Sequence, residues 1–355
     1  MTAAVTTVLS TYGRPDTLAC AVRSVLHQTM PDWRLLIIGD SCGEETAAAL
    51  APFLADERIR YVNLPWRCGD QAPLNAAGMA CAGTDLIALL NHDDLWLPTH
   101  LTTACRQLSE TNSDFFIGRS AWLWTAPASP GEPLIFETIS PLGRDLARVF
   151  NSGFHYVEPA SAWVFSRVLA RKVGPWRRSA DLFRPAIQDW ALRAWHGGAR
   201  VTEGVDVTCL KFENQWSASA PTRRYDTPAH PQQAALALMH DPAALDGFTR
   251  HLRQLAQQPQ AVGHRMGLNV APAKHPQVHR LAQLLMTPQA AHYFQHTGLD
   301  AYTWLCAEMN LPRGWRWRAA LQNRTGEAAL EPPPLADVMS HVAHAVADQG
   351  WGSND

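Results

Sequence analysis

The first 120 residues alternate short apolar runs with segments of helical period. Residues 4–10, AVTTVLS, predict a strand. Pro15 then stands at a favoured opening position for a helix with Leu18, Val22, Val25 and Leu26 on one face. Residues 34–40, RLLIIGD, form a second buried-strand run that ends in Asp40. Residues 43–55 read as a helix, 58–64 as a third strand, 72–83 as a helix closed by Gly83, and 85–91 as a fourth strand. Such alternation predicts an α/β domain with a mostly parallel sheet covered by helices on both faces. Ligands of these sheets bind beyond the carboxyl ends of the strands. Thr11, Tyr12, Gly13 and Arg14, together with Asp40 and Asn91 to Asp94, are thereby expected along one rim.

From about residue 115 to 165 the pattern loosens into short strands and loops, with a turn-rich stretch at 126–133. Residues 160–177 read as a strand passing into a helix, 185–198 as a helix and 205–212 as a last strand. The segment 219–231, SAPTRRYDTPAHP, breaks the pattern, and beyond it helical periods continue without strand alternation. The expected organisation is therefore a sheet domain over 1–218 and a mainly helical region over 219–355. EPPPL (331–335) reads as a stiff spacer before a last helix at 335–349.

Composition narrows the class. With 355 residues the chain can bury a sizeable core, and its net charge of −2 leaves no electrostatic footprint for nucleic acid. No apolar run approaches the roughly 18 residues that cross a bilayer. The N-terminus enters a strand pattern without a basic leader region, and the seven cysteines show no CxxC spacing. These features predict a cytoplasmic protein without a transmembrane segment; peripheral association with the inner face of a membrane is compatible with them.

The acids Asp93 and Asp94 follow the fourth apolar run directly, in LIALLNHDDLWLP. One reading is a pair that caps the next helix. The other is chemical: adjacent carboxylates repel unless neutralised, and Mg²⁺ or Mn²⁺ held between carboxylate oxygen and substrate phosphate does this. Such an ion also stabilises a departing diphosphate.

The opening stretch VTTVLSTYGRPDTLACAVRSVLHQTMPDWRLLIIGDSC, followed by CGDQAPLNAAGMACAGTDLIALLNHDDLWLP, resembles the family 2 glycosyltransferases with the GT-A fold. The resemblance covers roughly residues 4–212. It implies a nucleotide-sugar donor, carrying UDP, GDP or dTDP, bound across the strand ends. It puts Thr11, Tyr12 and Arg14 at the base pocket, Asp40 on the base or ribose, Asn91 at the ribose, and Asp93 on the metal with Asp94 beside it. It also implies inversion at the anomeric carbon and a hydroxyl acceptor: a saccharide, a lipid-linked glycan or a small molecule. The chain departs from the family pattern at Gly13, Gly39, Leu74, Asn91 and Gln188.

Asp189, at the start of a predicted helix, is either a residue favoured by the helix dipole or a general base for the acceptor hydroxyl. The resemblance favours the base, with Gln188 where the family carries Glu. Arg67 is a candidate phosphate contact or an ordinary loop arginine. Trp163 and Trp176 offer faces for a sugar ring or serve as core, and His155 and Glu158 are candidate acceptor contacts. His92 is a candidate metal neighbour. His275 and His279 stand at helical metal spacing without a third ligand, and RGWRWR (313–318) reads as partner contact or packing. The C-terminal helices are candidates for a homo-oligomer contact. Two other readings stay open: a nucleotidyltransferase, which STYGRPD serves poorly with its single glycine, and a non-catalytic sugar-nucleotide-binding scaffold.

Overall fold

Strand β1 (Val5–Thr11) is buried at every position, because it runs through the middle of the parallel half of the sheet. The computed structural model describes residues 4–124, 134, 136–146, 149–150, 158–213, 229–259, 261–262, 287, 289–290, 292, 296, 301–326 and 330–351. β1 leads into α1 (Pro15–Leu26), β2 (Trp33–Gly39), α2 (Glu44–Leu50) and β3 (Ile59–Asn63). α3 (Gln71–Ala80) then crosses to β4 (Leu86–Asn91). The order β3-β2-β1-β4 is parallel throughout, as the alternating pattern predicts. β2 and β4 flank β1 on opposite sides, so the direction of winding reverses there. Ligand-binding crevices open at such switch points.

Beyond β4 the chain continues through β5 (Leu95–Trp96), α4 (His100–Glu110), β6 (Phe115–Trp124) and β7 (Phe136–Ile139). It then forms β8 (Trp163–Ser166), α5 (Arg167–Val173), α6 (Ala186–His196) and β9 (Val201–Glu213). The sheet extends as β4-β8-β6-β9-β5, with β7 on β6. Ladders β4–β8, β6–β8, β6–β7 and β5–β9 are antiparallel, while β6–β9 is parallel. Among the described residues the sheet is thus mixed rather than mostly parallel. The loosened pattern after residue 115 also conceals a ten-residue strand, because β6 is flanked on both sides and carries no clean alternation.

The tail adds α7 (His230–Met239), α8 (Pro242–Leu255), α9 (Ala301–Glu308), α10 (Trp315–Thr325) and α11 (Leu335–Asp348). Its composition changes near residue 219, yet its packing is continuous with the sheet domain. Val338, Val342 and Val346 of α11 recur every four residues, are buried, and belong to the main core against α3 and β3. Ala235, Leu236 and Met239 of α7 share a second cluster with Leu95, Leu97 and Leu210. At 25 cal/mol per Å², burying such aliphatic side chains stabilises by about 1.5–3 kcal/mol each. The last helix is therefore integral to the first core.

Candidate functional site

The β1–β4 switch point gathers most of the predicted donor residues. Gly13 turns the chain out of β1 with φ +57, a conformation glycine and asparagine adopt readily, which explains the Gly13 departure. Arg14 follows, nearly buried, and its Nη1 lies 3.3 Å from Asp93 Oδ2 across the crevice. The Tyr12 amide donates to His92 Nδ1 at 3.3 Å, so His92 is spent partly on the backbone turn. Asn91, at the end of β4, pairs in register with Ser10.

Asp40, just past β2, is also buried. Its carboxylate accepts from the backbone N–H of Cys68 at 2.5 Å and of Gly69 at 2.9 Å, and from Arg67 Nη1. Burial pushes the Asp40 carboxyl up from its ordinary range, against the opposing pull of Arg67 and the two amides. The Arg67 guanidinium lies 3.2 Å from the Tyr12 ring centroid. A Cβ on Gly39 would meet Asn63 Oδ1 at 2.5 Å and Tyr61 Oη at 2.8 Å, so a larger residue there requires these side chains to shift. Thr11 ends β1 behind this group, and its carbonyl accepts from the Asp40 N–H at 2.9 Å.

The acidic pair divides. Asp93 keeps 21% of its side-chain exposure, whereas Asp94 has none. Asp94 Oδ2 accepts from Ser161 Oγ at 2.5 Å and Asn91 Nδ2 at 2.9 Å, and Oδ1 from Lys211 Nζ at 2.9 Å. Burial drives the Asp94 carboxyl upward and the Lys211 charge opposes it. Asp94 is thus enclosed by its own partners and acts as an internal anchor for the motif, which leaves Asp93 as the acid with exposure. Among the described residues no three His, Cys, Asp or Glu side chains converge as a metal cage. The residues present fit an ion held by one carboxylate, Asp93, and completed by diphosphate oxygens, which is how Mg²⁺ commonly binds.

Asp189 lies in the first turn of α6, with its side chain 9% exposed. Its Oδ2 is 2.9 Å from Arg193 Nε and its Oδ1 is 3.5 Å from Arg177 Nη1. The loop carrying Arg67 is tied to the segment leading to this helix through Asp70. Asp70 caps α3 at the Ala72 N–H and accepts from the Ser179 N–H at 2.7 Å.

Three candidate acceptor contacts are enclosed. Trp163 and Trp176 are fully buried and pack with Trp190 at centroid distances of 6.0 and 6.5 Å, so both are core. Glu158 is buried between Arg144, 3.2 Å away, and the Ser140 hydroxyl, 2.7 Å away, and burial pushes its carboxyl up. His155, His275 and His279 lie outside the described residues.

Sequence reasoning missed Lys211, which stands in an unremarkable strand at the far end of the sheet domain. It also missed Gln232 of α7, whose amide donates to the Asp93 carbonyl at 3.3 Å, and the partner of Trp317 of α10, whose Nε1–H donates to the Gly69 carbonyl at 3.0 Å. The RGWRWR motif that holds Trp317 thus packs on the loop cradled by Asp40. No local signal announces Lys211 or Gln232, and RGWRWR, which reads as partner contact or packing, does not name its partner; only long-range contact does.

Residues 6–122 match the family model described as glycosyl transferase family 2. Protein CgeD of Bacillus subtilis (strain 168) is 32% identical over 111 residues, which are 30% of this chain and 26% of that protein. The Escherichia coli UDP-Glc:alpha-D-GlcNAc-diphosphoundecaprenol beta-1,3-glucosyltransferase WfgD is 27% identical over 114 residues, 32% of this chain and 44% of that protein. The chain thus spans less than half the length of these curated relatives. The crystal structure of S. aureus TarS 1-349 in complex with UDP-GlcNAc aligns with TM-score 0.49 and 12% identity, over 87% of this chain and 92% of that one. No helix among the described residues is long and apolar enough to cross a membrane.

Proposed function

We propose that the protein is a glycosyltransferase that moves a sugar from a nucleotide-sugar donor to a hydroxyl acceptor, with Mn²⁺ or Mg²⁺ as cofactor and inversion at the anomeric carbon. The observation that carries this reading is the Arg14–Asp93 pair at the switch point, beside the Asp40 cradle. The family 2 match over 6–122 supports it, and the UDP-Glc in the printed name of the Escherichia coli relative favours a nucleotide-sugar donor.

In this reading Tyr12 and Asp40 hold the base side of the donor, with Thr11 behind them and Arg67 between ring and carboxylate. Asn91 meets the ribose, and Arg14 orients Asp93. When bound, the divalent ion supplies Lewis-acid stabilisation of the leaving diphosphate. Asp189 takes the proton of the acceptor hydroxyl, which must come within hydrogen-bond reach of its carboxylate. Arg193 and Arg177 hold that carboxylate in one orientation. With one base and no enzyme nucleophile, a single displacement inverts the anomeric carbon.

One observation favours a non-catalytic scaffold instead: both oxygens of Asp189 already face guanidinium groups. Calorimetric titration of UDP, GDP, CDP and dTDP, with and without Mn²⁺, tests the donor site on wild type and Asp93→Ala. The expected result is one preferred nucleotide whose affinity rises with Mn²⁺, a gain that Asp93→Ala removes. Absence of binding by every nucleotide refutes the donor site. Binding without transfer to any hydroxyl acceptor leaves the scaffold.

A further inference from the structure

Sheet register brings Lys211 to the acidic motif. β5 and β9 pair antiparallel through Leu95↔Leu210 and Trp96↔Cys209, so the next rung outward sets Asp94 opposite Lys211. Directly opposed side chains of an antiparallel pair lie close enough to interact. Lys211 Nζ is 2.9 Å from Asp94 Oδ1 and 3.8 Å from Asp93 Oδ1. Its partner Asp94 is fully enclosed, yet Lys211 retains 17% of its side-chain exposure and Asp93 retains 21%. A lysine that served only as the counter-ion of Asp94 needs neither the second acid nor this residual exposure. Arg14 approaches the other oxygen of Asp93. Two carboxylates and two cations leave these four side chains with no net charge, so the rim does not repel a diphosphate as a bare acidic pair would.

We infer that Lys211 is a diphosphate-binding residue. It is an ammonium oriented by Asp94 and set 3.8 Å from Asp93, on a side chain that keeps part of its exposure, and it holds nucleoside diphosphate without the aid of divalent metal. Lysine suits this use as a compact point charge. The inference rests on the donor-binding reading above and goes beyond it, because a site dependent on Asp93 and metal alone loses its nucleotide when the metal is removed.

Calorimetry of UDP, GDP, CDP and dTDP on the full chain in EDTA, and again with Mn²⁺, tests it. Wild type is expected to keep measurable affinity in EDTA for the nucleotide it prefers with Mn²⁺. Lys211→Met is expected to weaken that metal-free affinity at least tenfold, and Lys211→Arg to stay within threefold of wild type. Since Lys211→Met strands a buried carboxylate, the double variant Asp94→Asn/Lys211→Met is measured alongside, its folding checked by its unfolding midpoint. It is expected to show the same tenfold loss. If the folded double variant binds in EDTA as tightly as wild type, Lys211 is a counter-ion only and the inference is overturned. A wild type that binds with Mn²⁺ but not in EDTA overturns it too, while leaving the donor site standing. A wild type that binds no nucleotide in either condition overturns both.

Discussion

The two halves of the sheet build their share of the site in different ways. In the parallel half, β1 to β4, the functional groups sit at strand ends: Thr11 at the end of β1 with Arg14 beyond it, Asp40 beyond β2, and Asn91 at the end of β4 with Asp93 beyond it. Each is within a few residues of an apolar run, so its position follows from where that run stops. In the mixed half, β5 to β9, the groups sit within strands or far along the chain. Lys211 is inside β9, and Ser161 precedes β8 yet reaches Asp94. The lesson is that a parallel sheet displays its site along the sequence, whereas antiparallel additions complete it through register. The buried carboxylate Asp94 is where the two halves meet.

The sharpest way to break this comparison is at the residue assigned to the chemistry. Asp189→Asn is expected to lower the transfer rate by about 100- to 10,000-fold, the usual contribution of a general base. Nucleotide affinity, which belongs to the parallel half, should stay within twofold of wild type by calorimetry. An equal loss in both would mean that Asp189 supports the fold of the donor side rather than the reaction.

Next in size is the aromatic core of the mixed half. Trp163→Ala should cost about 3–5 kcal/mol of stability in urea unfolding, the range for removing a buried large aromatic. Trp163→Phe should recover much of that and leave the acceptor KM unchanged. A raised KM in a stable Trp163→Phe protein would return Trp163 to the acceptor site.

His100 gives a pH-dependent prediction. It is fully buried, stacks on Trp96 at 4.5 Å between ring centroids, and meets the Thr208 hydroxyl at 2.9 Å. Burial depresses its pKa to about 3 from an ordinary value of 6.5. Below pH 6.5 the unfolded chain binds a proton that the folded chain refuses, so stability falls as the pH drops from 6.5 toward 3. The expected loss from this group between pH 6.5 and 5 is about 2 kcal/mol. His100→Asn should begin from a lower stability and show a flatter acid slope in thermal melts. An unchanged slope would assign acid sensitivity to other groups.

The smallest effect tests whether the tail serves the donor half. Trp317→Phe removes the bond to the Gly69 carbonyl, worth about 1 kcal/mol. Because the Gly69 amide donates to Asp40, nucleotide affinity should fall two- to fivefold. No change would make α10 a packing element alone.

By itself the sequence determined the parallel half and its rim. Apolar runs with helical segments between them predict the four strands and their parallel direction, whereas the order β3-β2-β1-β4, in which α3 carries the chain back past β2 and β1, comes from the tertiary structure. The strand ends then name Thr11, Tyr12, Arg14, Asp40 and Asp93. It also determined α11, whose valines at every fourth position require a partner surface. Tertiary structure alone decided that this partner is the first core, that Asp94 turns inward while Asp93 faces the crevice, and that Trp163 and Trp176 are core. It alone brought Lys211 across 117 residues to the motif. The physical reason is the range of the interactions. Periodicity and caps act over a few residues and leave a local trace, whereas burial and charge pairing depend on which distant strand supplies the opposite side.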